Sequence, residues 1–200
     1  MKKLPLIQLT INPDDGSFVQ AISLVEDPAI QSDFIAFSNQ SKIDFTANDE
    51  RMELLGIAMK ANHPIYRNSP ETGEYACIFS PDTIRQIAQV YAQKGFFNNM
   101  NIEHSDTPAG SYVFQSYIVD STKNMNAPKG IDAGDGDWMV GVKVNDPKVW
   151  ANIRSGKTKG FSVEGIFNLI DTQQTINMHN QEAYLKALED FNTAFEDLLA

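Results

Sequence analysis

Lys159-Gly160-Phe161-Ser162-Val163-Glu164-Gly165-Ile166-Phe167 is the stretch on which the reading of this chain turns. Taken as a strand, it sends Phe161, Val163 and Phe167 to one side and Ser162, Glu164 and Ile166 to the other. A hydroxyl and a carboxylate thus share one face of an otherwise apolar segment. Upstream, Asn101-Ile102-Glu103-His104-Ser105-Asp106 places a histidine at the end of a short run that reads as a neighbouring strand. A serine nucleophile needs a base for its proton, and imidazole titrates in the right range. The stretch is not the nucleophile elbow of the α/β-hydrolases. That elbow requires glycine two residues after the serine, where this chain has Glu164. His104 also precedes Ser162, whereas an α/β-hydrolase places its histidine last.

The 200 residues suit one domain with an appendage. An apolar fraction of 42% and a charged fraction of 21% are those of a globular protein. The net charge of −10 speaks against a nucleic-acid backbone as partner. Cys77 is the single cysteine, so neither a disulfide framework nor a thiolate metal site is expected. Within Tyr75-Ala76-Cys77-Ile78-Phe79 it reads as a small core residue. No secretory signal and no membrane span is read from the sequence, and a reducing cytoplasm is the expected compartment. No cofactor is expected. The run Asp132-Ala133-Gly134-Asp135-Gly136-Asp137 reads as a hairpin turn, because Lys143 stands where a calcium loop needs its bidentate acid.

Residues 6–11 and 18–25 read as two strands around the turn Asn12-Pro13-Asp14-Asp15-Gly16. A short strand is read over 34–37, a polar loop over 38–49, and strands over 51–60 and 74–79. Ser80-Pro81-Asp82 opens a helix with Ile84, Ile87, Ala88 and Tyr91 as its apolar stripe, ended by Gly95. A strand follows over 110–119, then an Asn/Gly/Asp-rich loop, then a strand carrying Trp138, Val140, Val142 and Val144. Asp146-Pro147 caps a short helix that Gly156 ends. From Asn180, Tyr184, Leu188, Phe191, Phe195 and Leu198 recur at helical spacing among acids, an amphipathic helix for packing or for a partner. Domain limits of 1–170 and 171–200 follow. The fold class is α+β and β-rich, since strands outnumber helices without alternating with them.

Four motifs in order carry a resemblance: Met59-Lys60-Ala61-Asn62-His63-Pro64-Ile65-Tyr66-Arg67, Asn101-Ile102-Glu103-His104-Ser105, Trp138-Met139-Val140-Gly141-Val142-Lys143-Val144, and Gly160-Phe161-Ser162-Val163-Glu164-Gly165. Together they resemble the XkdF-like phage prohead proteases, which are similar to herpesvirus assemblins. The resemblance implies a β-barrel surrounded by helices and a serine endopeptidase acting inside the immature capsid, in the host cytoplasm. It implies Ser162 as nucleophile and His104 as general base. The implied substrates are the scaffold protein, the major capsid protein and the protease itself, with self-association among the expected contacts.

The commoner prohead proteases carry an acid on a strand after the serine. Here a similar run, Ala21-Ile22-Ser23-Leu24-Val25, sits near the N-terminus, as though the barrel were circularly permuted, and Ala21 occupies the acid's position. Glu164 is therefore the first candidate for the third member and Asp120 the second. A second histidine, His63 or His179, and a plain serine–histidine dyad are the alternatives. The rival function is an inactive capsid-assembly protein that retains the protease fold.

Overall fold

Trp138–Val144 is the most deeply buried strand, and the reason is its composition. Trp138, Val140, Val142 and Val144 on one face and Met139 on the other are fully buried, and Lys143 is the one residue of the strand left half-buried. Full burial of such side chains stabilises by roughly 1.5–3 kcal/mol each. The computed structural model describes residues 3–26, 28, 35–36, 51–70 and 72–177. In chain order these form β1 (Lys3–Thr10), β2 (Val19–Val25), β3 (Ile35–Ala36), β4 (Glu53–Met59), β5 (Ile65–Ser69), β6 (Gly73–Ile78), α1 (Pro81–Gln93), β7 (Met100–Ile102), β8 (Ser111–Ile118), β9 (Trp138–Val144), α2 (Pro147–Arg154), β10 (Gly160–Gly165) and β11 (Asn168–Asn177).

Three sheets result, with orders β11-β1-β6-β5, β10-β2-β7 and β3-β4-β9-β8. The protein is thus α+β and β-rich. Among the described residues two of these sheets are mixed and the third is antiparallel, and no run of pairing closes them into one barrel. β1 and β2 do not pair with each other. The 3-10 turn Pro13–Asp15 between them, capped by Asn12 and closed by Gly16 at φ 87°, sends the chain from the first sheet into the second.

The helices start where the sequence places their caps. Ser80 Oγ accepts from the Thr83 amide at 3.2 Å and Asp146 Oδ1 from the Lys148 amide at 2.7 Å, each cap contributing about 1 kcal/mol. α1 buries Ile84, Ile87, Val90 and Tyr91 against β2, β8 and β9. Its Tyr91 ring meets Trp138 edge-on at 5.3 Å. Gly95 follows α1 in the left-handed region at φ 71°, and Gly156, at φ 73°, follows α2 in the same way.

β11 is a strand the sequence reading lacked. It pairs antiparallel with the whole of β1, from Lys3↔Asn177 to Thr10↔Asn168, with a bulge at Thr172 and Gln173. The boundary expected at 170 therefore falls inside a strand, and residues 171–177 belong to the sheet rather than to an appended helix. The hydropathy of this segment hid it: Asp171-Thr172-Gln173-Gln174-Thr175 is polar, and it is β1 that supplies the pairing partner. The loop expected over 38–49, the acidic helix from Asn180 and His179 lie outside the described residues.

Candidate active site

The three-stranded sheet builds the site by register. Ser162 on β10 stands directly opposite Ser23 on β2, and Ser23 stands opposite Asn101 on β7. Side chains directly opposite one another leave the same face with Cβ atoms about 4.5–5.5 Å apart. Three polar side chains therefore lie in one row across the sheet. Ser23 is fully buried, whereas Ser162 and Asn101 are half-buried.

His104 reaches this row from the turn that ends β7. The Glu103 amide still donates to the Leu24 carbonyl at 3.1 Å, prolonging the β7–β2 pairing by one residue. Glu103 and His104 then both adopt left-handed backbone, at φ 53° and 52°. Each such residue without glycine's freedom costs on the order of 1–3 kcal/mol and persists only where the surroundings enforce it. Here the Glu103 carboxylate accepts the Glu26 amide at 2.6 Å, and Ser105 bonds the Ile102 carbonyl through both amide and hydroxyl. The turn lays the imidazole over the polar row.

Its two nitrogens meet two serines. Nε2 lies 3.0 Å from Ser162 Oγ and Nδ1 lies 2.9 Å from Ser23 Oγ. Ser23 Oγ donates to Asn101 Oδ1 at 2.6 Å, and Asn101 Nδ2 donates to Glu164 Oε2 at 2.9 Å.

The protons in this chain have one consistent arrangement. A carboxylate only accepts, so the Asn101 NH2 group must face Glu164, leaving its carbonyl oxygen to face Ser23. Ser23 gives its single proton to that oxygen and can only accept from His104. Nδ1 must then carry the proton, and Nε2 presents a lone pair to the Ser162 hydroxyl. A carboxylate is thus connected to a serine hydroxyl through Asn101, Ser23 and His104, each donor pointing toward Glu164.

The sequence expectations divide accordingly. Ser162 and His104 are brought into hydrogen-bond contact. Glu164 is at the same place but not in direct contact with the ring: Oε2 is 3.8 Å from Nδ1, and both side chains are roughly two-fifths exposed (37% and 43%). Asp120 is engaged elsewhere. It accepts the Thr122 hydroxyl at 2.5 Å, pairs with Lys123, and lies 3.9 Å from Arg85. Its hydrogen bonds from Lys123 and Thr122 hold its carboxyl down at about 2.

His63 is half-buried beside Lys60, and burial followed by that positive charge pushes its imidazole down to about 4. The acids of the 132–137 run are also committed, Asp132 to Lys60, Asp135 to Ser121, and Asp137 to the Ala61 and Gly134 amides. Among the described residues no group of three histidine, cysteine or acidic side chains is arranged around a metal. No helix among them is long and apolar enough to cross a membrane.

Ser23 and Asn101 are the residues that the sequence reading missed. The available signal was a lone hydroxyl inside the apolar run Ala21-Ile22-Ser23-Leu24-Val25, on the same strand face as Ala21 and two residues beyond it.

Beside Ser162 lies a cavity of about 200 Å³, reached by Phe161, Ser162 and Val163 in succession. Neighbouring strand residues point to opposite faces, so three in a row meet one cavity only along the edge of the strand. Among the described residues β10 lies beside β2 in its sheet, and β4 also contacts it.

No curated protein and no solved structure matches this chain. A family model described as "Putative phage serine protease XkdF" matches residues 65–171, more than half of the sequence. The matched stretch contains Asn101, His104, Ser162 and Glu164, while Ser23 precedes it. By the extent of that match the chain belongs to the XkdF family of phage serine proteases.

Proposed function

We propose that the protein is a serine endopeptidase in which Ser162 is the nucleophile, His104 the general base and Ser23 the residue that orients the imidazole. The observation that carries this reading is the directed hydrogen-bond chain from Ser162 through His104 and Ser23 to Asn101 and Glu164. Family membership supports the reaction class. In the acylation step the Ser162 proton passes to Nε2 as Oγ bonds to the peptide carbonyl carbon. The imidazolium then gives that proton to the leaving amine as the C–N bond breaks. Water, deprotonated by the same nitrogen, releases the acid and restores the serine. While the ring is cationic, Ser23 Oγ continues to accept from Nδ1, and the nearby Glu164 carboxylate opposes the new charge.

The substrates in this reading are the scaffold and major capsid proteins, cut inside the prohead, and the protease itself. The permutation belongs to the same proposal: the N-terminal strand β2 occupies the centre of the catalytic sheet and supplies Ser23. The rival reading, an inactive assembly protein, draws on the lack of a carboxylate in hydrogen-bond contact with the imidazole among the described residues. Co-expression of the protease with its phage scaffold and capsid protein separates the two. Ser162→Ala and His104→Ala should each abolish processing while leaving the protein folded by circular dichroism. Normal processing by either variant rejects the assignment, and no processing by the unaltered chain favours the rival.

A further inference from the structure

The cavity beside Ser162 has the chemistry of a side-chain subsite. Leu9, Met59, Cys77, Phe79, Phe161 and Phe167 are among its walls, drawn from strands of all three sheets and the segments that flank them. Phe79 and Phe167 meet edge-on at 5.0 Å and form an aromatic wall. Two cations also line it, and one of them is paired with a carboxylate. Lys60 pairs with Asp132 at 2.9 Å, and Arg67 donates to the Tyr66 carbonyl at 3.0 Å. Burial pushes the Cys77 thiol upward, so it contributes a neutral apolar surface.

We propose that this cavity receives an aromatic or long aliphatic side chain of the substrate residue next to the bond that Ser162 attacks. The inference rests on the peptidase reading above and adds a specificity to it. Size agrees: an apolar cavity of about 150 Å³ is enough to hold a benzene ring, and this one measures about 200 Å³. Position agrees as well. Ser162 itself lines the cavity, so a side chain seated there holds its own backbone at the reacting hydroxyl. An acidic side chain would have to compete with Asp132 for Lys60 and would lie against the aromatic wall. A small polar one would leave the aromatic wall in water.

The test uses the full chain, a fluorophosphonate probe for a reactive serine, and a proteome-derived peptide library with cleavage sites read by mass spectrometry. Labelling of Ser162 reports the nucleophile independently of the substrate side chain and normalises every variant. Cleavage should concentrate at one fixed position occupied by Phe, Tyr, Leu or Met, favoured about 100-fold in kcat/KM over Gly, Ser or Asp. Val163→Phe, which fills the cavity, should reduce turnover of Phe and Tyr peptides by about tenfold or more relative to Ala peptides. Phe167→Ala, which widens it, should move the preference toward Trp.

A labelled enzyme without apolar preference, or with a preference that neither variant moves, overturns the subsite and leaves the nucleophile standing. A preference for acidic residues lost in Arg67→Ala overturns it in favour of the cations. Absence of both labelling and cleavage overturns the nucleophile reading, and the subsite falls with it.

Discussion

Ser23 Oγ and His104 Nδ1 are 2.9 Å apart, in a place where a serine protease commonly has a carboxylate. A hydroxyl can hold the imidazole in one tautomer, but it brings no charge to the imidazolium. In the mechanism proposed above the two duties are divided: Ser23 would orient the ring, and Glu164, 3.8 Å from Nδ1 and bonded to Asn101, would supply the negative charge.

Ser23→Ala should lower kcat by about 10- to 100-fold with little change in KM. It removes the acceptor that fixes Nδ1–H and leaves Asn101 Oδ1 short of a donor, an unsatisfied group costing about 1–3 kcal/mol. The loss should stay below the ~10⁴ seen when a triad's orienting carboxylate is replaced and the wrong tautomer is imposed. Peptide hydrolysis and thermal melts on the same preparation check both arms. Unchanged kcat with unchanged stability would remove Ser23 from the machinery.

Glu164→Gln and Asp120→Asn should behave differently. A unit charge about 4 Å from an imidazolium is worth about 1 kcal/mol in water and about 4 kcal/mol at an effective dielectric of 20. The half-exposed pair lies toward the lower figure, so Glu164→Gln should cost about tenfold in kcat, with the deficit shrinking at high salt. The amide also lets Asn101 turn over, which loosens the direction of the proton chain. Asp120→Asn should leave kcat within about twofold, because its partners are Thr122, Lys123 and Arg85. A large loss from Asp120→Asn, with the protein still folded, would contradict the geometry.

Gly165→Ala should destabilise the protein and lower its activity together. A Cβ built on Gly165 would stand 2.5 Å from the Phe18 carbonyl oxygen and 2.8 Å from Val19 Cα. That contact is backbone, at the bulge where the β10–β2 register shifts after Glu164. Relieving it must move β10, and Ser162 sits three residues away on that strand. Overpacking of this kind costs roughly 1–3 kcal/mol. Denaturant midpoints and kcat, measured side by side, would show whether the two losses are linked.

His63 predicts a loss of stability on acidification above the range where carboxylates titrate. Its folded value, about 4, lies below its ordinary 6.5. The unfolded chain therefore binds a proton first, and stability falls as pH drops from about 6.5 toward 4. Asp137, raised by burial despite the Ala61 and Gly134 amides, works in the opposite direction near the bottom of that window. His63→Gln should flatten the dependence of the denaturant midpoint between pH 6.5 and 4.5. An unaltered slope would place the effect elsewhere.

The sequence alone determined the elements whose signals are local. The Ser80 and Asp146 caps, the glycines that follow both helices and the apolar stripe of α1 name their helices without reference to anything distant. Trp138, Val140, Val142 and Val144 name a buried strand by composition. The order of the motifs around His104 and Ser162 also singled out two residues that lie 3.0 Å apart. Everything that depends on which strand lies beside which belongs to the folded chain. β11 is polar and became visible as a strand only through its pairing with β1. Ser23 is one hydroxyl in an apolar run, and its place under His104 follows from β2 lying between β10 and β7. Glu164 shares a strand face with Ser162, as the alternation requires. Its distance from the imidazole was set by two left-handed residues, Glu103 and His104, whose backbone no pattern in the sequence announces. Periodicity fixes which face a side chain leaves, whereas register and loop geometry fix what it meets there.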